Sequence, residues 1–205
     1  MKTENATVVR SVFTIGHSNQ PMDTFISLLK NANIDVLVDI RSHPSSAYAS
    51  QFDGPQLKKE ITTYGIKYLY MGHELGGKPQ DQRFYDSDGR VLYSMMAETP
   101  SFLDGISRLE RGIAKYRVAI MCSEESPVEC HRRLLVSRVL ISRGIDVYHI
   151  RSSGKVQTEE EAAQEEMARY SGAPQLGLFS FQEARPLRST QSVSPRSQQS
   201  NSSVS

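Results

Sequence analysis

Short β-rich runs recur along the first 150 residues, and segments of helical period separate them. The runs fall at residues 12–16, 36–40, 66–71, 118–122 and 146–150. Val36-Leu37-Val38-Asp39-Ile40 is typical: apolar on both sides of the pleat, as a strand covered on both faces must be. Between the first two runs, Met22, Phe25, Ile26, Leu29 and Ala32 recur at the spacing of one helix face. Gly54-Pro55 opens a second helix carrying Leu57, Ile61 and Tyr64. Thr99-Pro100 caps a third, with the stripe Phe102, Ile106, Leu109 and Ile113. Ser126-Pro127-Val128-Glu129 reads as a capping box with proline at the first helical position. The helix it opens runs through Leu135, Val136, Val139 and Leu140 to Gly144, and a last acidic helix spans 158–170 behind its own Thr158/Glu161 box. This alternation predicts a three-layer α/β fold, Rossmann-like, with a mostly parallel five-stranded sheet and helices on both faces.

Residues 1–172 form the expected single domain. The peptide at 173–181 and the Ser/Gln-rich stretch at 182–205, with little to bury, are expected to lie outside it, the latter as a disordered tail. The formal net charge of +1 excludes a molecule-wide electrostatic attraction to DNA or anionic membranes, so nucleic-acid contact would need a local patch. No run is long enough to span a bilayer, and residues 1–10 lack a signal-peptide apolar core. The two cysteines, Cys122 and Cys130, make no disulfide framework and read as reduced thiols of a cytoplasmic protein.

Ligands of open parallel sheets bind beyond the carboxyl ends of the strands. The residues just past each run are chemically rich: His17 and Ser18; Asp39, Arg41, Ser42 and His43; His73, Glu74, Gly76 and Gly77; Cys122, Ser123 and Glu124; Arg151. Cys130, His131 and Arg132 are expected in the first turn of the next helix, where free N–H groups favour anions and thiolates. Cys122, Glu124, Cys130, His131 and Asp39 are the candidate catalytic groups. His17, Arg41, Ser42, Arg132, Gly76 and Gly77 are the candidate substrate contacts. The bland readings are a thiol filling space, an Asp39–Arg41 ion pair that is only structural, and a Gly76-Gly77 turn without the lysine of a nucleotide loop. No cofactor is assigned. A metal on Cys122, Cys130 and His131 stays an open alternative, because the spacing matches no familiar zinc site and adjacent Cys and His share one ion poorly.

The motifs Thr14-Ile15-Gly16-His17-Ser18, Val38-Asp39-Ile40-Arg41-Ser42-His43-Pro44-Ser45-Ser46, Leu75-Gly76-Gly77 and Met121-Cys122-Ser123-Glu124 with Cys130-His131-Arg132 together resemble the domain of unknown function 488 family. The resemblance covers about residues 10–155. It implies an α/β fold and a shared polar pocket, and it brings no established reaction; some members carry a DNA-repair label. Gln175-Leu176-Gly177-Leu178-Phe179 is similar to the peptide by which bacterial replication and repair proteins bind the sliding clamp. Gln175 would supply amide hydrogen bonds, Leu176 a flanking contact, and Leu178 and Phe179 the apolar anchors. The alternative is that Leu176, Leu178 and Phe179 fold back onto the domain. Three functions follow: an enzyme of DNA metabolism acting on a nucleic-acid or phosphate-bearing substrate and recruited by the clamp; a non-catalytic nucleic-acid or nucleotide binding module; or a cysteine-dependent transferase or redox enzyme unrelated to DNA.

Overall fold

The computed structural model describes residues 10–45, 48–170 and 188–193. The sheet holds β1 (Ser11–Gly16), β2 (Val36–Asp39), β3 (Lys67–Tyr70), β4 (Val118–Cys122), β5 (Asp146–Ile150) and β6 (Val156–Thr158) in the order β3-β2-β4-β1-β5-β6. Every pairing is parallel except β5 with β6. The fold is α/β as expected, with six strands in place of five. The sixth is a three-residue edge strand that returns from β5 through a tight turn, with Arg151 N–H donating to Lys155 O at 2.9 Å and Gly154 at φ 86°.

The continuous apolar runs follow from two cores, one on each face. Helices α1 (Met22–Asn31) and α2 (Gly54–Thr62) cover Phe13, Ile15, Leu37, Ala119 and Met121. Helix α5 (Pro100–Ile113) and the helical run through residues 131–142 cover Val12, Val36, Val38, Val118 and Ile120. Successive residues of β4 thus serve opposite cores, as a pleated strand requires. Full burial of a side chain such as Phe25 contributes about 2–3 kcal/mol. The short helices α3 (Gly72–Leu75) and α4 (Tyr93–Ala97) occupy the glycine-punctuated stretch. Helix α6 (Arg138–Ser142) continues a π-helical segment, Arg132–Ser137, and α7 (Glu159–Tyr170) packs beside β5 and β6. The Thr158/Glu161 box is reciprocal: Glu161 accepts from Thr158 N–H at 2.9 Å and Thr158 Oγ1 from Glu161 N–H at 3.2 Å.

Two expectations change. The helix after β4 begins at His131; residues 127–130 form turns, and Ser126 Oγ accepts from Val128 N–H at 3.4 Å and from Arg169 Nη2 at 3.2 Å. Within the stretch expected to be disordered, Arg188–Val193 lies on the domain: Ser189 N–H donates to Val91 O at 2.9 Å, Val91 N–H to Ser189 Oγ at 2.8 Å, and Val193 N–H to Gly89 O at 2.7 Å. The peptide Gln175 to Phe179 lies outside the described residues. Among the described residues, no helix is long and apolar enough to cross a membrane.

Strand order positions the site. Because β4 lies between β2 and β1, the register Gly16↔Cys122 and Asp39↔Met121 brings three strand ends level.

Candidate functional site

Cys122 closes β4, and the chain leaves it in a loop that crosses the end of β1. His17 N–H donates to Cys122 O at 3.0 Å and Ser18 N–H to Ser123 O at 2.8 Å. Gly16 permits this crossing, since a Cβ there would overlap the Glu124 main chain. Arg132, fully buried, pins the loop from below: its guanidinium donates to Glu124 O, to Glu125 O at 2.6 Å and to Thr14 Oγ1 at 3.3 Å. It is thus a loop pin rather than the anion clamp expected of it. Thr14 passes the chain of bonds on to His149 Nδ1 at 2.8 Å, and His149 Nε2 to Glu159 at 2.9 Å.

The loop brings four groups together. The ligand-type atoms of Cys122, Glu124, Cys130 and His131 lie within 4.8 Å of one another. Both sulfurs reach Glu124 Oε2, Cys122 at 2.9 Å and Cys130 at 3.0 Å. His131 Nδ1 lies 3.4 Å from Cys122 Sγ, and its Nε2 lies 3.1 Å from Ile40 O. A carbonyl only accepts, so Nε2 carries the proton and the Nδ1 lone pair faces the sulfurs in the neutral ring. Cys130 sits just before the helix start, and its sulfur takes the Arg132 N–H at 3.5 Å, as a capping side chain would. The thiols are inequivalent. Burial pushes the Cys122 thiol well up, and its bonds to Cys130 and Glu124 push the same way. Burial also pushes Cys130 up, but its bond to Cys122 and the Arg132 charge outweigh this and hold it below its ordinary value. Glu124 is raised by burial and lowered more by the thiol bonds, ending at about 2.

A second network stands beside the first. Arg41 donates to Asp39 Oδ1 from Nε at 2.9 Å and to Oδ2 from Nη2 at 2.6 Å, and Nη2 also reaches Phe52 O at 2.8 Å. Nη1 meets His17 Nε2 at 3.0 Å. Tyr68 OH donates to Asp39 Oδ2 at 2.7 Å. Asp39 is fully buried with both oxygens occupied, so it holds Arg41 in place and is not the acid or base expected. His17 lies behind Arg41, stacked on Phe52, with Nδ1 bonded to Ser18 O at 2.6 Å. Burial lowers its pKa, and with both nitrogens engaged it orients Arg41 rather than touching a substrate. Of the five guanidinium N–H bonds of Arg41, one on Nη1 remains after these partners, and Arg41 lines the pocket.

That pocket has a volume of about 540 Å³. Cys122, Glu124 and His131 form part of its wall, with Arg41, Ser42 and Lys78. Ser42 Oγ accepts from Lys78 N–H at 2.9 Å. Gly76 and Gly77 provide clearance rather than a phosphate cradle: a Cβ on Gly77 would strike the His131 ring, and one on Gly76 would strike Gly72 O and Ser42. Lys78, Tyr93 and the segment Ser189 to Val193 also line the pocket and were not singled out in the sequence. Lys78 directly follows the glycine pair, which was the available signal; nothing marks Ser189 in a serine-rich stretch.

The family described as Domain of unknown function DUF488 matches residues 21–139. The chain belongs to this family. No curated protein and no solved structure matches it. The DUF488 segment contains Asp39, Arg41, the glycine pair, Cys122, Glu124, Cys130, His131 and Arg132. His17 and the peptide Gln175 to Phe179 fall outside it. The DUF488 pocket therefore combines a thiol, a carboxylate and an imidazole with the cationic groups of Arg41 and Lys78 on its wall, and the second thiol, Cys130, lies directly behind them.

Proposed function

We propose that this DUF488 protein is an enzyme of DNA metabolism that acts on a phosphate-bearing substrate, nucleic acid foremost, and that the sliding clamp recruits it through Gln175, Leu176, Leu178 and Phe179. The observation that carries the enzymatic part is the meeting of Cys122, Glu124, Cys130 and His131 within 4.8 Å, three of them, Cys122, Glu124 and His131, on the wall of a pocket that also holds Arg41 and Lys78. A volume of about 540 Å³ suits a nucleotide-sized group. The remaining Arg41 N–H and the Lys78 ammonium hold the phosphate, while the four-group cluster supplies the chemistry. Glu124, the exposed member of the cluster, is the carboxylate that the cluster presents to the substrate. Two free thiols fit a cytoplasmic protein.

The test is a panel of nicked, damaged and single-stranded DNA and free nucleotides, assayed with the full chain and with Glu124→Gln. The expected result is turnover of one class, reduced about 100-fold or more in the variant. Equal rates for both proteins remove Glu124 from the chemistry. A second reading, a thiol-dependent transferase or redox enzyme, draws on the two sulfurs sharing one carboxylate oxygen. It predicts no turnover on the panel and rapid alkylation of Cys130 in the folded protein.

A further inference from the structure

We propose that Cys122, Glu124, Cys130 and His131 together bind one zinc-type divalent ion, with Glu124 as the exchangeable ligand on the pocket side. The inference concerns what the protein holds on the pocket wall and does not depend on which substrate enters.

Five observations point to it. Two sulfurs, one imidazole nitrogen and one carboxylate oxygen are a donor set for zinc, softer than magnesium or calcium accept. The donor atoms converge: Cys122 Sγ is 3.4 Å from His131 Nδ1, and both sulfurs lie 2.9–3.0 Å from Glu124 Oε2. Zinc bond lengths set neighbouring tetrahedral ligands roughly 3.3–3.8 Å apart, so the carboxylate would move outward by roughly half an ångström to take its place as a ligand. Next, the imidazole is already fixed as a metal ligand is fixed: the Nε2 proton is held by Ile40 O at 3.1 Å, which aims the Nδ1 lone pair inward. Fourth, the supports are specific. The bare Gly77 backbone faces the His131 ring, Arg132 ties down the main chain of Glu124, and Arg132 N–H meets the Cys130 sulfur. Two thiolates and a carboxylate around a doubly charged ion leave one excess negative charge, and buried Arg132 offsets it. Finally, three ligands are buried while Glu124 is exposed to the pocket. Three firm ligands and one open position is the pattern of a catalytic rather than a structural zinc.

The sequence spacing of these ligands matches no familiar zinc site, and Cys130 is adjacent to His131. Here Cys122 comes from a strand end, while Cys130 and His131 bracket a helix start, so adjacent residues diverge along different directions and still meet at one point.

The test uses the full chain, purified under reducing conditions, with metal content read by elemental analysis. The expected content is about one zinc per chain. After the metal is stripped, cobalt(II) alone should restore a sulfur-to-cobalt charge-transfer band in the near ultraviolet. Cys130→Ser should weaken the band and cut cobalt affinity at least about 100-fold. Glu124→Gln should keep the band, since both sulfurs remain, and cut affinity about tenfold or more. Should Cys130→Ser fail to fold, the wild-type spectrum and Glu124→Gln carry the test. A reduced wild-type chain that holds less than about a tenth of an equivalent of metal and gives no cobalt band overturns the proposal. Unchanged affinity in Glu124→Gln overturns the assignment of Glu124. Both readouts are independent of turnover, so a silent substrate panel leaves them intact.

Discussion

His131 donates its Nε2 proton to Ile40 O across 3.1 Å, at the point where the β2 backbone passes behind the pocket. One bond therefore fixes the ring and aims Nδ1 at the sulfurs, and the bare backbone of Gly77 lies against the ring. Gly77→Ala places a methyl group inside the His131 ring. Destabilisation by about 1–3 kcal/mol is expected, together with at least about a tenfold loss of site function. Gly112→Ala, on α5 with nothing within 4 Å of its would-be Cβ, should instead stabilise by up to about 1 kcal/mol. Urea unfolding of both variants checks the pair.

Arg132 carries the second prediction. Arg132→Met leaves the carbonyls of Glu124 and Glu125 and the Thr14 hydroxyl without their buried donor. A loss of roughly 3 kcal/mol in unfolding free energy is expected. Cys130 should also alkylate faster in the folded variant as the loop loosens. Unchanged stability would show that the loop holds itself.

The pH dependence of stability follows from His149. Burial lowers its pKa from 6.5, and the Glu159 contact, which raises it, does not make up the difference. The folded state keeps the ring neutral, while the unfolded chain takes up a proton near pH 6.5. Its contribution to stability is thus fully present above that pH and falls as the pH drops below it. Lowered His17 adds in the same direction. Stability curves taken at pH 7.5 and at about pH 5.5 should show a smaller drop for His149→Gln than for the wild type. Equal drops would contradict the assignment.

Much of this architecture was legible in the chain. The runs ending at Cys122 and Ile150 coincide with β4 and β5; β4 is buried throughout and carries no charged residue to blur its ends, while β5 is marked by the Gly144 stop before it. β6 was missed because three residues on a sheet edge, Val156, Gln157 and Thr158, bury only Gln157 and carry no apolar pattern. The capping box at Ser126 misled because Arg132 draws the preceding carbonyls toward itself and delays the helix to His131. Asp39 and Arg41, two apart at a strand end, read equally as chemistry or as a structural ion pair. Their bidentate pairing, completed by Tyr68 and Phe52 from elsewhere, is a long-range fact that no local spacing reveals. The convergence of Cys122 with Cys130 and His131 was legible in kind, since all lie beyond the carboxyl end of one strand.

Clamp recruitment is tested by pull-down with the full chain. The wild type should be retained on immobilised sliding clamp, and a Leu178→Ala/Phe179→Ala variant should be lost. Equal recovery of both removes the clamp from the account.

The central claim is that a phosphate-bearing substrate enters the pocket and is held by its cationic wall. Its most direct measurement is equilibrium titration of one oligonucleotide with and without a terminal phosphate, at fixed salt, against the wild type and Lys78→Met. The account predicts at least about a tenfold preference of the wild type for the phosphorylated form, and its loss in a folded Lys78→Met. Equal affinity of the wild type for both forms, or an undiminished preference in the variant, would contradict it.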